Sequence, residues 1–525
     1  MSDARILLRL AGLLCLAPTL AWAQPQVLPG MTGSDIDTLV SGTRSAFNVP
    51  GVAVGIVKDG KVIFSRGYGQ RRAGESATVD EMTRFAIGSN TKAFTTAALS
   101  ILVHQNKLQW SDPVWQHMPE FALSDPYLTR AFIVTDLLTH HSGMGQGAGD
   151  LMLFSRSRFT RSEVVDRLQY MPFTGGFREK YAYNNLLYVT AGKLVEDISH
   201  VSWEHFVQRN ILDAAGMKAC TTSPAKPKSG ENRATGHSLD NGKAVPVAWE
   251  FLPAVAPAGG IECSLSGMES WVQMLLAHGV SNGHSVLAAD QIDEMWAPHA
   301  LLPLADSAHL TNTHFRAYGL GWFTEDFYGA RRVWHTGTIQ NMVSYVSFLP
   351  EKNVGIVILT NQDDHHATYT LATALSAAAM GHNETDWLAY FRKEAQDNQK
   401  AAAARDKADG PGSKARPFIA LPASEMTEYT GTYHDRWRGD AVITQDSKGL
   451  RFVFGQADDL GGTLRALPHD LFVVQWDNRS RDGGDDSYAQ FHRDMSGHIA
   501  SISMAVVTSD FSFDVQDLNL KRVSH

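Results

Sequence analysis

The chain has 525 residues, 44% of them hydrophobic and 19% charged, which is typical of a globular protein rather than a disordered or fibrous one. Its length predicts two or three domains rather than a single core. The formal net charge of −9, without any basic run, argues against a nucleic-acid-binding surface.

The first residues have the layout of a cleavable secretory signal. Arg5 and Arg9 precede an apolar run that ends in the small-residue sequence AWA. A basic start, a short apolar core and such an ending predict removal of residues 1–23, with maturation after Ala23. No later segment is long and apolar enough to span a bilayer. We therefore expect the mature protein to be periplasmic or secreted.

Two β-rich runs follow in the segment GVAVGIVKDGKVIFSRGYG, which begins at Gly51. They surround Asp59-Gly60, and an Asp-Gly pair between such runs is a strong hairpin signal. From Ser89 to Gln105 the apolar residues change to a helical period. Residues from about 105 to 300 are predicted to be mostly helical, with Pro, Gly and Ser breaks.

Strand-like runs return after this helical region. They are YGLGWFTEDF from Tyr318, then ARRVWHTG, MVSYVSFLP and VGIVILTNQ. Strands at both ends of a region with a helical middle predict one antiparallel sheet flanked by helices. We assign this α/β domain to residues 24–395, with an all-α subdomain inserted over roughly 105–300.

The remaining sequence predicts a linker and a second domain. A helical run is expected to end near Lys400, and the segment AAAARDKADGPGSKARP is small, charged and broken by Gly and Pro. We assign residues 396–420 to this linker. Residues 421–525 contain short β-rich runs divided by turn residues, which predicts a small antiparallel β-barrel. The runs are YTGTYHD, AVITQD, GLRFVFG, DLFVVQWD, SYAQFHRD, IASISMAVV and FSFDVQDLNL.

Two cysteines, Cys220 and Cys263, follow the signal. An oxidising compartment permits a disulfide between them. The sequence does not choose between that bridge and two buried thiols.

Ser89 and Lys92 form the pattern S-x-x-K at the start of a predicted helix. This spacing puts the two side chains on one helix face, where first-turn N–H groups point at the serine. A buried lysine is readily driven toward its neutral form, which can take a serine proton. The pattern alone is equally consistent with a helix cap and a snorkelling lysine, because Ser223 and Lys226 repeat it in a proline-rich segment.

Two further motifs strengthen the case for nucleophilic chemistry. Tyr183 and Asn185 stand just before a helical period, where a tyrosine can shuttle a proton and an asparagine can orient lysine and substrate. His335, Thr336 and Gly337 lie on a predicted strand and are followed by Thr338. A glycine there allows substrate to lie against the strand, and the Thr338 N–H can serve as an oxyanion donor beside that of Ser89.

In this order and context, the three motifs resemble those of the serine β-lactamase and penicillin-binding protein superfamily. The resemblance extends over residues 35–380 and includes the sequences LLTHHSG, PAGG and YGLGW. Its class C-like group of esterases, D-aminopeptidases and serine peptidases is the most similar, and some of those peptidases carry a lipocalin-like C-terminal barrel. One departure is Asn341, where many relatives have glycine.

The resemblance implies a role for each site residue. Ser89 would be the nucleophile, Lys92 its activating base partner and Tyr183 the proton shuttle. Asn185 would orient the lysine and the substrate. The strand from His335 to Thr338 would lie along the substrate and contribute to the oxyanion site. No metal or cofactor is implied.

The implied activity is that of an exported serine hydrolase acting through an acyl-enzyme. Its substrates would be small amides, short peptides with D-residues among them, or esters. At the position where relatives have a lysine, this chain has His335, which would be mostly neutral at pH 7. The missing positive charge disfavours the alternatives of a β-lactamase or D,D-carboxypeptidase. A penicillin-recognising sensor or cell-wall binding protein with little turnover also stays open. A homo-oligomer is compatible with the sequence.

Other polar clusters receive structural interpretations at this stage. The pairs His140-His141 and His365-His366 lack an accompanying metal-binding motif, so we interpret them as solvated or capping histidines. Asp150 follows a glycine-rich loop and is interpreted as a turn cap that could stand near the cleft.

Overall fold

The computed structural model describes residues 25–154, 156–240, 242–250, 252–408, 417–478, 486–507 and 514–524. The predicted signal, residues 1–23, lies outside the described residues. Within these ranges the chain forms a sheet flanked by helices and, after it, a closed barrel.

The central sheet is antiparallel and has eight strands. In chain order they are β1 (Gly51–Lys58), β2 (Lys61–Gly69), β3 (Ala300–Leu302), β4 (Arg316–Tyr318), β5 (Phe323–Phe327), β6 (Ala330–Ile339), β7 (Met342–Leu349) and β8 (Val354–Thr360). Their spatial order is β3-β4-β5-β6-β7-β8-β1-β2, so the first hairpin joins the last strand. The predicted closure of one sheet by two distant chain regions is confirmed.

Two tight turns have the backbone conformations that their residues favour. Asp59 (φ 51°) and Gly60 (φ 73°) connect β1 to β2, as the Asp-Gly signal predicts. Gln340 and Asn341 also have positive φ between β6 and β7. Asparagine tolerates this region better than most residues, so Asn341 can replace the glycine of many relatives.

Helices cover both faces of the sheet because alternate strand residues are apolar on each side. Ile356 and Ile358 pack in the cluster that includes α1 (Gly33–Ala46), and Val357 and Leu359 pack in the opposite cluster. The remaining long helices are α2 (Thr91–His104), α3 (Asn185–Ser199), α4 (Leu265–Leu276), α5 (His365–Met380) and α6 (Trp387–Ala408). Burial of both faces gives the sheet its continuous apolar strands.

The predicted helical region contains α3, α4 and several shorter helices. These are Val114–His117, Pro126–Ala131, Arg161–Arg167, Trp203–Val207, Ala256–Gly259 and Ala289–Trp296. The region also has short strands that were not predicted, a hairpin of His237–Asp240 with Lys243–Pro246 and a strand, Glu262–Ser264, paired with Arg84–Ala86. These strands are too short to show an alternating pattern.

The predicted boundary between helix and linker is wrong. Helix α6 runs through Ala408 rather than ending near Lys400, so it occupies the first half of the segment assigned to the linker. The sequence AAAARDKA lacks Gly and Pro, and alanine has the highest intrinsic helix propensity. The breakers Gly410, Pro411 and Gly412 lie outside the described residues.

The C-terminal region forms the predicted barrel, closed by eight antiparallel strands. They are Gly431–Asp435, Gly439–Asp446, Gly449–Phe454, Gly461–Ala466, Leu471–Trp476, Ser487–Arg493, Ile499–Val506 and Leu520–Ser524. The strand Gly461–Ala466 was not predicted, because its two glycines and Arg465 hide the alternation.

Two further points concern the described residues. Cys220 and Cys263 are joined by a disulfide, which decides between the bridge and the two buried thiols that the sequence left open. None of the described helices combines the length and apolar character that a membrane-spanning helix needs.

Candidate active site

Ser89 lies at the entrance to α2. A single 3-10 turn, Gly88–Asn90, leads directly into this helix, and the Ser89 side chain is partly exposed. Lys92 follows one turn later on the same face but is fully buried. The helix can bury a lysine because nearly all of its other residues are apolar or small and packed in the core.

The amine of Lys92 has three polar neighbours. Its Nζ lies 3.1 Å from Ser89 Oγ, 2.7 Å from Asn185 Oδ1 and 3.1 Å from the carbonyl oxygen of Ala258. A neutral amine has two N–H donors and one lone pair. It can donate to Asn185 and Ala258 while its lone pair faces the Ser89 hydroxyl.

The environment of Lys92 favours that neutral form. Burial lowers the pKa of Lys92 to about 7, and the carboxyl of Asp150 partly opposes this shift. Removing an ammonium group from water disfavours its charged state, which is the physical cause of the shift. A substantial fraction of the amine is therefore unprotonated at neutral pH.

Asn185 is the first residue of α3 and connects Lys92 to Asp150. Its Oδ1 accepts from the lysine, and its Nδ2 lies 3.1 Å from each carboxylate oxygen of Asp150. The preceding residue, Asn184, caps the helix by accepting from Leu187 N–H. The amide of Asn185 is thus oriented toward the lysine as predicted, but its N–H donors point at Asp150 rather than at the cleft.

Tyr183 meets the same two groups. The Ser89 hydroxyl is near enough to the Tyr183 hydroxyl to affect its pKa, and the Lys92 Nζ lies 4.6 Å from the centroid of the Tyr183 ring. Burial raises the pKa of Tyr183 well above its ordinary value. The phenol keeps its proton at neutral pH, so a proton shuttle that rests as a phenolate does not fit this environment.

Gly337 brings β6 against the turn that carries Ser89. A Cβ added to Gly337 would lie 2.0 Å from the carbonyl oxygen of Ile87 and 2.6 Å from Ser89 N. A Cβ added to Gly88, whose φ is +51°, would lie 2.5 Å from Thr338 N. The backbones of β6 and of the turn therefore approach so closely that only glycine fits at these two positions. As a result, the amides of Ser89 and Thr338 stand side by side.

This contact predicts a large effect of Gly337→Ala. The new methyl group collides with backbone atoms of Ile87, Ser89 and Asn90, so the strand must move away from Ser89. A displacement near 1 Å in an active site costs about 100-fold in rate, and we expect that loss in kcat/KM with a protein that still folds.

Gly175→Ala is the control for this substitution. Its Cβ would have only the carbonyl oxygen of Gly143 within reach, at 3.9 Å. Parallel kinetics and thermal melts of both variants check the expectation, and equal kcat/KM for Gly337→Ala and the unaltered protein would contradict it.

The other residues of the strand motif have different surroundings. His335 is 1% exposed, and its Nε2 lies 2.9 Å from the Tyr318 hydroxyl. Burial, reinforced by the charge of Lys92, lowers the pKa of His335 to about 3. His335 is therefore neutral at pH 7, and its side chain is buried rather than exposed on the cleft surface. Thr336 is partly exposed, and the exposed Thr338 places its Oγ1 2.7 Å from His365 Nε2.

Three residues of this cluster were not assigned to it by the sequence. Asp150 was interpreted as a turn cap, yet it is buried and binds Asn185. His140 accepts from Asn184 N–H and packs on Tyr183, with ring centroids 4.3 Å apart. Tyr318 contacts His335. The sequence signal for these residues was their position within LLTHHSG (His140), GQGAGDLM (Asp150) and YGLGW (Tyr318). These sequences lie apart from the three main motifs along the chain.

The histidine pairs have ordinary partners. His366 Nδ1 lies 2.6 Å from Asp364, and His141 Nδ1 lies 2.8 Å from Thr139 Oγ1. In the part of the chain that the structure describes, no group of three or more His, Cys, Asp or Glu residues is arranged to hold a metal ion.

Comparison with known proteins agrees with this geometry. The model of the Beta-lactamase family matches residues 36–379, which is more than half of the chain. The chain belongs to the Beta-lactamase family. The model of a domain of unknown function, DUF3471, matches residues 415–522, the barrel region.

Its similar relatives come from distant organisms. The chain is 25% identical over 373 residues to Protein flp of Staphylococcus aureus strain MW2, covering 69% of each chain. It is 26% identical over 468 residues to the unguisins hydrolase ungD' of Aspergillus campestris, covering 84% of each.

Solved structures show the same fold. An octameric penicillin-binding protein homologue from Pyrococcus abyssi matches with a TM-score of 0.60 at 20% identity, covering 94% of this chain and all of that one. SurE with D-Leu matches with a TM-score of 0.52 at 16% identity, covering 93% and 99%. These two likenesses concern the fold, and both extend across the domain and the barrel.

Proposed function

We propose that the protein is a serine hydrolase that acylates Ser89 and releases the acyl group to water. The observation that carries this proposal is the placement of a buried amine, with its pKa near 7, against the hydroxyl of a partly exposed serine. A structural lysine would instead extend its charge to solvent.

In the first step, neutral Lys92 accepts the proton of Ser89 as the serine oxygen bonds to the substrate carbonyl carbon. The developing oxyanion is stabilised by the N–H groups of Ser89 and Thr338, which the glycine contact brings together. Asn185 and the Ala258 carbonyl hold the amine in place through its two remaining hydrogen atoms.

In the second step, the tetrahedral intermediate loses its leaving group. Tyr183, which keeps its proton and contacts Ser89, donates that proton to the leaving nitrogen or oxygen, and protonated Lys92 restores it. Water then attacks the acyl-enzyme, with the same residues acting in reverse order.

The substrate class follows from the neutral environment of the strand. A buried, neutral His335 offers no positive charge to a substrate carboxylate, so small amides, short peptides and esters are favoured over penicillins and peptide C-termini. The name of one relative, an unguisins hydrolase, supports a hydrolytic activity, and the crystal structure of SurE with D-Leu supports D-residues among the substrates.

A substrate panel tests this proposal. The purified protein would be offered p-nitrophenyl esters, L- and D-aminoacyl anilides and nitrocefin, and a fluorophosphonate probe would be located by mass spectrometry. We expect the label on Ser89 and not on Ser223, with turnover of anilides or esters exceeding that of nitrocefin. Labelling without any turnover would favour a sensor, and rapid nitrocefin hydrolysis would favour a β-lactamase.

The rate of this reaction should depend on pH through Lys92. The base must be neutral, so kcat/KM should fall about tenfold for each pH unit below the lysine pKa of about 7 and level off above it. A stopped assay from pH 5 to 9 with a neutral ester substrate measures the profile. A rate that increased on acidification would contradict a neutral base.

We also propose that the protein is exported, and the disulfide supports this because such bonds persist in oxidising compartments. Cell fractionation, with detection of the N-terminus of the mature protein, tests both the location and the cleavage after Ala23. Light scattering of the purified protein tests whether it forms a homo-oligomer.

A further inference from the structure

The C-terminal barrel meets the catalytic domain along the segment that follows Asp150. Arg158 N–H donates to the carbonyl of Gln456 at 2.9 Å, and Ser157 forms a β-bridge with Ala457. Arg158 also pairs with Asp458, but both side chains of this ion pair are more than half exposed. Exposed pairs of this kind contribute little to stability.

One barrel residue has a very different environment. Asp514 is 1% exposed, and its two carboxylate oxygens accept hydrogen bonds from the backbone N–H groups of Gly149 and Leu151. These two amides flank Asp150, whose own carboxylate binds Asn185 Nδ2. The buried carboxylate of Asp514 thus binds the backbone on both sides of Asp150, the residue that contacts Asn185.

The loop held by Asp514 in turn holds the motif that contains Tyr183. Gly147 N–H donates to the carbonyl of Tyr183 at 2.8 Å, and Asn184 Nδ2 donates to the carbonyl of Ala148 at 3.1 Å. These bonds and the contact between Asp150 and Asn185 tie the loop to three consecutive residues of the site. Any shift of the loop is therefore transmitted to the hydroxyl and amide groups around Ser89.

We propose that Asp514 is a positioning residue for the catalytic reaction, so that the C-terminal barrel completes the active site of the adjoining domain. This inference rests on the proposed hydrolase function. It assigns the barrel a part in catalysis through the loop from Gly147 to Leu151, without contact between the barrel and the substrate.

Asp514 lies among other buried ionisable groups. Burial, reinforced by Asp150, raises the pKa of Asp514 to about 8. The guanidinium of Arg438 faces Asp514 from within the barrel, lies over the rings of Phe159 and Phe454, and has no hydrogen-bond partner for its nitrogens among the described residues.

Other charged groups also act on this part of the structure. Arg167, Asp435 and Arg158 act on Arg438 from further away. In the catalytic cluster, Lys92 faces Asp150. The charge of Lys92 lowers the pKa of the buried histidines His140 and His335.

Asp514 is mostly neutral at pH 7, because its pKa of about 8 lies above that pH. Its part in the site is therefore to position the loop through two hydrogen bonds rather than to supply a fixed negative charge. Replacing it should change the rate without moving the acid limb that Lys92 sets.

Asp514→Asn in the full-length protein tests this inference, with Asp458→Asn as the matched control at the same interface. Asparagine keeps the shape but has one oxygen for two N–H donors. We expect kcat/KM at pH 7 to fall about tenfold while the acid limb stays at the same pH, because Asp514 is mostly neutral there. Asp458→Asn should match the unaltered protein in both respects.

A second measurement does not depend on turnover. Hydrogen exchange followed by mass spectrometry should show faster exchange of the Gly147 amide in Asp514→Asn, although this amide does not itself touch Asp514. Unchanged exchange together with an unchanged kcat/KM would overturn the inference, as would equal effects in Asp458→Asn. Failure of the unaltered protein to label at Ser89 would overturn the proposed function instead, and the exchange result would still stand.

Asp514→Glu covers the case in which Asp514→Asn does not fold. Glutamate keeps the carboxyl but moves it by one methylene from the amides of Gly149 and Leu151. We expect faster exchange of the Gly147 amide and a smaller loss of kcat/KM than in Asp514→Asn. No change of either quantity in a folded Asp514→Glu protein would contradict the inference.

Discussion

Ser89→Ala should lower kcat by about four orders of magnitude or more, because removal of a catalytic nucleophile leaves only binding and oxyanion stabilisation. It should also abolish labelling by the fluorophosphonate probe. The substitution removes one hydroxyl from a partly exposed turn, so the thermal melting temperature should change little.

Ser223→Ala is the matched control, since Ser223 and Lys226 have the same sequence spacing as the catalytic pair. The segment that contains them has no helix, and Ser223 is exposed. Its variant should keep full activity. Turnover that survived Ser89→Ala at the level of the unaltered protein would remove the acyl-enzyme mechanism altogether.

Lys92→Met should lower kcat/KM by about three orders of magnitude, the usual contribution of a general base. Methionine has a similar length and suits the apolar surroundings of α2, so the protein should remain folded. The acid limb of the pH profile should disappear together with the activity, because the titrating amine is gone.

Lys226→Met provides the corresponding control at the second S-x-x-K pattern. Kinetics, probe labelling and circular dichroism of the two variants separate a catalytic amine from a structural one. Full activity in a folded Lys92→Met protein would show that another group takes the proton of Ser89, and would leave Lys92 as a core residue.

Local sequence patterns were sufficient for most of the secondary structure. Asp59-Gly60 identified the first hairpin because this pair favours positive φ, and the helical spacing after Ser89 identified α2. The end of α6 was placed too early, because composition was given more weight than the helix propensity of the alanine run that follows Lys400. The strand Gly461–Ala466 was missed because its glycines carry no apolar signal.

The three motifs also indicated which residues form the candidate site. They name Ser89, Lys92, Tyr183 and Asn185, which the fold brings into direct contact. The order and context of the motifs carried this prediction, since S-x-x-K by itself occurs twice. The roles assigned to these residues remain predictions until the variants are measured.

The sequence by itself therefore determined the family, most of the elements and the residues of the candidate site, because each of these is encoded by neighbours along the chain. Only the tertiary structure decided the protonation states. The pKa of Lys92 depends on its complete burial and on Asp150, and the position of Asp150 depends on Asp514 in the C-terminal barrel. Desolvation and charge act through space between segments that are distant in sequence, so no local pattern could reveal them.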